Sequence, residues 1–166
     1  MRVLVVHYSR SGNTRKACEA IAASLEAAGA EVVSEELVDK TERGGVMGWL
    51  GGGRDASRKR PTELEPVSAD VGSFDLVVIG TPVWAFTCAP AARTFCQQFA
   101  DILQRVALVA TMGGRGDTGA FEAMEQCCGK PPVATLALID KAIKSGDAEQ
   151  FTAAIAAFTG KVLAAV

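Results

Sequence analysis

Three continuous apolar runs decide most of what this chain can fold into. Val3-Leu4-Val5-Val6, Leu76-Val77-Val78-Ile79 and Val106-Ala107-Leu108-Val109-Ala110 show no polar alternation. Strands that read this way are buried on both faces, which is the situation inside a parallel sheet flanked by helices. Each run leads into a short stretch of small polar residues, glycine or proline, and then into a helical pattern. That order demands crossover connections and excludes a simple antiparallel meander.

Residues 2–7, 31–38, 75–80, 106–111 and 133–139 are predicted strands. The 31–38 segment mixes apolar and charged residues, as an edge strand does, and 133–139 takes the other edge. Between them fall the helices. Residues 14–28 place Ala17, Ile21, Leu25 and Ala28 on one face, and Gly29 ends the helix. Pro90 opens a second helix whose apolar face carries Ala92, Phe95, Phe99, Ile102 and Leu103. A third runs over 118–128, with Asp117 or Thr118 as its N-cap, and Gly129 with Pro131-Pro132 stops it. The last starts near Asp147 and repeats Phe151, Ala154, Ile155, Phe158 and Val162 at helical spacing. Five strands and their helices make a doubly wound α/β fold with a five-stranded parallel sheet. The expected strand order is 2-1-3-4-5.

At 166 residues the chain suits one domain with a sizeable core. A net charge of −2 gives no strong pull toward nucleic acid or an anionic membrane. No apolar run approaches the roughly 18–20 residues of a membrane span. Without a signal-peptide pattern, a cytoplasmic protein is expected. The five cysteines, Cys18, Cys88, Cys96, Cys127 and Cys128, include no CxxC pair, and His7 is the only histidine. That argues against a disulfide framework and a structural zinc site. The adjacent Cys127 and Cys128 are read as small residues on one side of a helix, with a redox pair as the alternative. Cys88, just before the helix opened by Pro90, is read as a packing residue, with a redox role as the sharper alternative.

One segment stands apart. Residues 41–66 hold Gly44, Gly45, Gly48, Gly51, Gly52 and Gly53, six of the 17 glycines. Between 41 and 60, Arg43, Arg54, Arg58, Lys59 and Arg60 meet only Glu42 and Asp55. This reads as a flexible basic insertion; its functional alternative is a flap over a ligand or a docking surface for an acidic partner.

In this strand order, ligands bind beyond the carboxyl ends of the strands at the switch point. Three loops converge there. The first is Ser9-Arg10-Ser11-Gly12-Asn13-Thr14, where hydroxyls, a carboxamide and the N–H groups of a helix N-terminus can face one anion. The second is Thr81-Pro82-Val83-Trp84-Ala85-Phe86, with two aromatics on which a flat ring system can stack. The third is Thr111-Met112-Gly113-Gly114-Arg115-Gly116. There is no GxxxxGK[ST], so the first loop is not an ATPase P-loop. No plausible base accompanies Ser9 or Ser11 as a nucleophile, and His7 reads as a hydrogen-bonded core residue. Gly114-Arg115-Gly116-Asp117-Thr118-Gly119 is a literal GxGxxG, with Asp140 about 20 residues on, as a dinucleotide site asks. Only one strand follows it, so no complete nucleotide-binding half is present and the match ranks second.

Ser9-x-Ser11-Gly12-Asn13-Thr14, directly after an N-terminal strand, resembles the FMN phosphate loop of the flavodoxin family. Ile79 to Ala85 resembles the second flavin-binding loop of bacterial flavodoxin-like proteins, and Arg43 to Trp49 resembles an insertion that some of them carry. The resemblance implies a flavodoxin-like three-layer sandwich and non-covalently bound FMN. Ser9, Ser11, Asn13 and Thr14 would hold the phosphate, Thr81 to Phe86 would border the ribityl chain and ring, and Met112 to Gly116 would edge the pyrimidine end. It implies electron transfer or oxidoreduction, as an electron carrier docking a redox protein partner or as a reductase using NAD(P)H and a small acceptor such as a quinone. A non-redox ligand-binding domain with the same fold is the third possibility. Two features depart from electron-carrier flavodoxins: the third loop has no aromatic residue, and the chain is only mildly acidic. Arg10 and Arg115 add positive charge near the site, so a less negative reduction potential than theirs is expected.

Overall fold

The computed structural model describes residues 1–41, 53, 55, 56, 58, 61–144 and 148–165. Its elements in chain order are β1 (Arg2–His7), α1 (Asn13–Ala27), β2 (Glu31–Glu36), β3 (Leu76–Trp84), β4 (Thr87–Cys88), α2 (Pro90–Phe99), β5 (Val106–Met112), α3 (Asp117–Cys128), β6 (Ala134–Ile139), α4 (Asp140–Lys144) and α5 (Ala148–Ala164). The sheet order is β2-β1-β3-β5-β6, with every neighbouring pair parallel. Counting only these five strands, the order is the expected 2-1-3-4-5.

Side-chain alternation along the central strands feeds two cores. Leu4, Val6, Val77, Ile79 and Leu108 face α2 and α3, where Phe95, Cys96, Met124 and Cys128 meet them. Val3, Val5, Leu76, Val78 and Val109 face α1 and α5, where Ile21, Leu25, Phe158 and Val162 pack. Burying a side chain such as Phe95, Leu4 or Ile21 contributes about 1.5–3 kcal/mol each, which is why the runs without polar alternation sit at the centre. β2, with its exposed glutamates, lies at one edge beside β1.

The main departure from expectation is at 81–87. The third strand does not stop at Gly80. Thr81 and Pro82 stay in register with Ala110 and Thr111 of β5. Val83 and Trp84 then pair antiparallel with Cys88 and Thr87, making a tight hairpin rather than an open loop. Its two tip residues, Ala85 and Phe86, have φ of 49° and 62°. Such turns normally use Asn-Gly or Asp-Gly, so the sequence carried no turn signal here.

Smaller corrections follow local physics. α2 ends at Phe99, so Ile102 lies beyond the helix and is 48% exposed, while Leu103 is buried. The N-cap of α3 is Gly116 in the left-handed region, and Asp117 is the first helical residue. α4 is an extra short helix directly after β6, and it takes Asp140 as its first residue. The expected start of the last helix near Asp147 and most of the basic 41–60 segment lie outside the described residues. The ends of that segment are clasped: Lys40 N donates to Glu63 O at 2.9 Å and Glu65 N to Val38 O at 2.9 Å. Among the described residues, no helix is long and apolar enough to cross a membrane.

Candidate functional site

β1, β3 and β5 are neighbours, so the segments after them meet at one end of the sheet. Tyr8 N donates to Gly80 O at 3.1 Å, holding the exit of β1 against β3. The chain then loops through Ser9 to Gly12 into α1. Gly12 is the N-cap at φ 89°, and no side chain caps the helix. Gly12 N donates instead to Ser9 Oγ at 3.1 Å, curling the loop over the first helical turn. A Cβ on Gly12 would meet nothing within 4 Å, so the glycine faces open space as well as needing its conformation. Asn13 is only 7% exposed, yet its Nδ2 has no hydrogen-bond partner. Ser11 and Arg10 are exposed.

The first and third segments are tied directly: Thr14 Oγ1 and Thr111 Oγ1 share a buried hydrogen bond of 2.8 Å. Thr81, fully buried, accepts from Ala89 N at 3.0 Å and donates to Pro82 O at 3.0 Å. These three hydroxyls hold the framework, whereas Asn13 Nδ2 is buried without a partner and α1 has no side-chain cap. Met112 is buried at the end of β5, and Gly113, Gly114 and Arg115 are exposed beyond it. A Cβ on Gly113 or Gly114 would meet nothing within 4 Å.

The hairpin supplies the aromatic side of the crevice. Trp84 is half-buried against the α2–α3 core, edge-on to Tyr8 with ring centroids 5.6 Å apart. Tyr8, the residue directly after β1, is buried in that core, and sequence reasoning passed over its contact with Trp84. Phe86 at the tip is 62% exposed. The Arg115 guanidinium carbon lies 5.8 Å from its ring centroid, joining the second and third segments.

The GxGxxG pattern has a packing explanation. A Cβ on Gly116 would stand 2.8 Å from Val83 Cγ1, and one on Gly119 would stand 2.3 Å from Phe86 O. These glycines let the hairpin backbone press against the first turn of α3. Gly80 plays a like role: a Cβ there would lie 2.4 Å from Cys18 Sγ and 3.1 Å from His7 Cβ.

His7 is buried as expected, but neither ring nitrogen has a hydrogen-bond partner. Burial lowers its pKa, against the raising effect of Glu36, the strongest of the nearby charges. The imidazole is held neutral. Cys88 is a packing thiol, pushed up to about 11 by burial. No group of three or more His, Cys, Asp or Glu placed to hold a metal occurs among the described residues.

Sheet order, crevice position and the uncapped α1 N-terminus define a flavodoxin-like protein. A flavoprotein from Lactobacillus acidophilus NCFM, solved with FMN, is 20% identical and superposes at a TM-score of 0.68 over 91% of this chain and 98% of its own. A flavodoxin from Streptococcus pneumoniae TIGR4 is 13% identical, with a TM-score of 0.63 and full coverage of both chains. Megasphaera elsdenii flavodoxin is 20% identical, with a TM-score of 0.58 over 93% of this chain and 98% of its own. Those likenesses establish the fold. The chain belongs to the NADPH-dependent FMN reductase family, whose model matches residues 1–130. No curated protein matches it. Family membership makes FMN its cofactor and oxidoreduction its class of chemistry.

Proposed function

We propose that FMN lies in the crevice at the carboxyl ends of β1, β3 and β5, and that the protein uses it to move reducing equivalents from NAD(P)H to a small acceptor. The residues fit the group. Asn13 Nδ2 is a buried donor without a partner, α1 has no side-chain cap, and the space beside Gly12 is open. A phosphate answers both needs, and the helix dipole favours its charge. In this reading Ser9, Ser11, Gly12, Asn13 and Thr14 hold the phosphate, Thr14 through its N–H because its hydroxyl already meets Thr111. Arg10 adds positive charge to the same loop. Thr81 to Phe86 border the ribityl chain and ring, and Thr111 to Gly116 edge the pyrimidine end.

Bound FMN supplies hydride and electron exchange; the protein supplies position and field. The hairpin and Tyr8 form an aromatic wall on one side. What carries the reductase reading is the other side: Gly113 and Gly114 stand exposed, with open space where their side chains would be. That bare edge leaves room for a second planar molecule beside the ring, as hydride transfer from a nicotinamide needs. The family to which the chain belongs is NADPH-dependent, which supports the same donor.

The test is anaerobic mixing of the FMN-loaded protein with NADPH while following the flavin's visible absorption. Bleaching by NADPH alone is expected, with colour restored by a quinone. Flavin that NADPH leaves oxidised, but that a separate reductase reduces, would make the protein an electron carrier instead.

A further inference from the structure

Away from the crevice, between α2, α3 and β4, lies a buried arginine without a counter-charge. Arg93 is 3% exposed. Its Nη2 donates to Thr87 Oγ1 at 3.0 Å, its Nη1 to Cys127 Sγ at 3.6 Å, and its Nε has no partner. Among the described residues no carboxylate reaches it within ion-pair distance. A guanidinium taken out of water with only a hydroxyl and a thiol as partners is in an expensive position, and it favours any negative charge beside it.

The residue beside it is the least buried of the five cysteines. Cys18, Cys88, Cys96 and Cys128 are buried, whereas Cys127 is half-buried. Cys127 also sits in the last turn of α3, where the helix carries about half a negative charge and no basic residue offsets it. The full positive charge of Arg93 stands 3.6 Å from the sulfur in a part-buried setting. Cys128, 1% exposed, is closed to reagents even though its thiol is drawn down, chiefly by its hydrogen bond with Cys96.

We propose that Cys127 is a thiol-modification site that takes low-molecular-weight disulfides by thiol–disulfide exchange, with Arg93 as the fixed cation that steadies negative charge on the attacking sulfur. Cys127 gives its proton to solvent, and Sγ attacks one sulfur of the small disulfide. A new S–S bond forms to Cys127 as the old one breaks. The displaced sulfur leaves with the electron pair as a thiolate and takes up a proton. The small disulfide is the only oxidant the step needs. Through Thr87 the same guanidinium also holds the return strand of the crevice hairpin.

The experiment exposes the full chain to bis(2-hydroxyethyl) disulfide and follows adducts by intact mass and peptide mapping. The first adduct is expected on Cys127, and Arg93→Met should slow it by about tenfold or more, while Arg93→Lys stays within about threefold of the parent. A first adduct on another cysteine, or an Arg93→Met rate equal to the parent's, overturns the proposal. If Arg93→Met does not fold, the parent chain decides: Cys127 must react faster folded than in urea, and an equal or slower folded rate overturns it.

Discussion

Thr14 and Thr111 lie 97 residues apart in sequence and share a buried 2.8 Å hydrogen bond between their hydroxyls. That bond fastens the N-terminus of α1 to the end of β5, so the 9–14 loop and the glycine-rich edge keep one spacing. Removing one partner leaves a buried hydroxyl unsatisfied. Thr14→Val or Thr111→Val alone should cost about 1–3 kcal/mol, whereas the double variant, with both hydroxyls gone and the shape kept, should recover part of that loss. Urea unfolding of the FMN-free chains measures it; a double variant no better than the sum of the singles would show that the bond is not the link.

Gly119 is a second fixed point, because a Cβ there would stand 2.3 Å from the Phe86 carbonyl. Gly119→Ala must push the hairpin away or strain α3, at about 1–3 kcal/mol. Gly160 in α5 is the control: its Cβ would meet nothing within 4 Å, so Gly160→Ala should stabilise by up to about 1 kcal/mol. Opposite shifts of the denaturation midpoint are expected, and equal shifts would refute the packing explanation of the GxGxxG pattern.

Much of this was legible beforehand, and the reasons divide cleanly. The strand order and the three converging segments followed from apolar runs whose burial leaves little freedom. The hairpin did not, because Ala85 and Phe86 adopt positive φ without the glycine or asparagine that usually announces it. The contact between Tyr8 and Trp84 was missed because only the hairpin brings the two rings together. The hydroxyls of Thr14, Thr81 and Thr111, which the sequence offers as ligand groups, each make a bond within the framework that the sequence does not show.

Buried and unpartnered, His7 makes stability depend on pH. Its pKa in the fold is below the ordinary 6.5, chiefly through burial. Above 6.5 neither state carries the proton, and the contribution is whole; as the pH falls below 6.5 the unfolded chain protonates first, and stability is lost down to the folded pKa. Glu36, Arg15 and Glu19 are the charges acting on it. The loss in midpoint between pH 7.5 and 5.5 should therefore be smaller in His7→Leu than in the parent, with these two values taken as roughly one unit either side of the imidazole's range. An identical loss in both chains would exclude His7 as the source.

Arg115 is the cation of the third segment, placed over Phe86. Electrons added to a flavin beside it bring negative charge that the guanidinium favours. Arg115→Ala should make the reduction potential of bound FMN more negative in a redox titration. A potential that stays the same or rises would remove Arg115 from the account.

The central claim is that residues 9–14 hold the FMN phosphate, and the most direct measurement compares FMN with riboflavin, which lacks that phosphate. Binding to the flavin-free chain is followed by quenching of flavin fluorescence. With several charge-assisted hydrogen bonds at stake, FMN should bind at least about tenfold more tightly than riboflavin. Asn13→Ala should weaken FMN and leave riboflavin nearly unchanged. Equal affinity for the two flavins, or equal weakening of both by Asn13→Ala, would contradict the assignment.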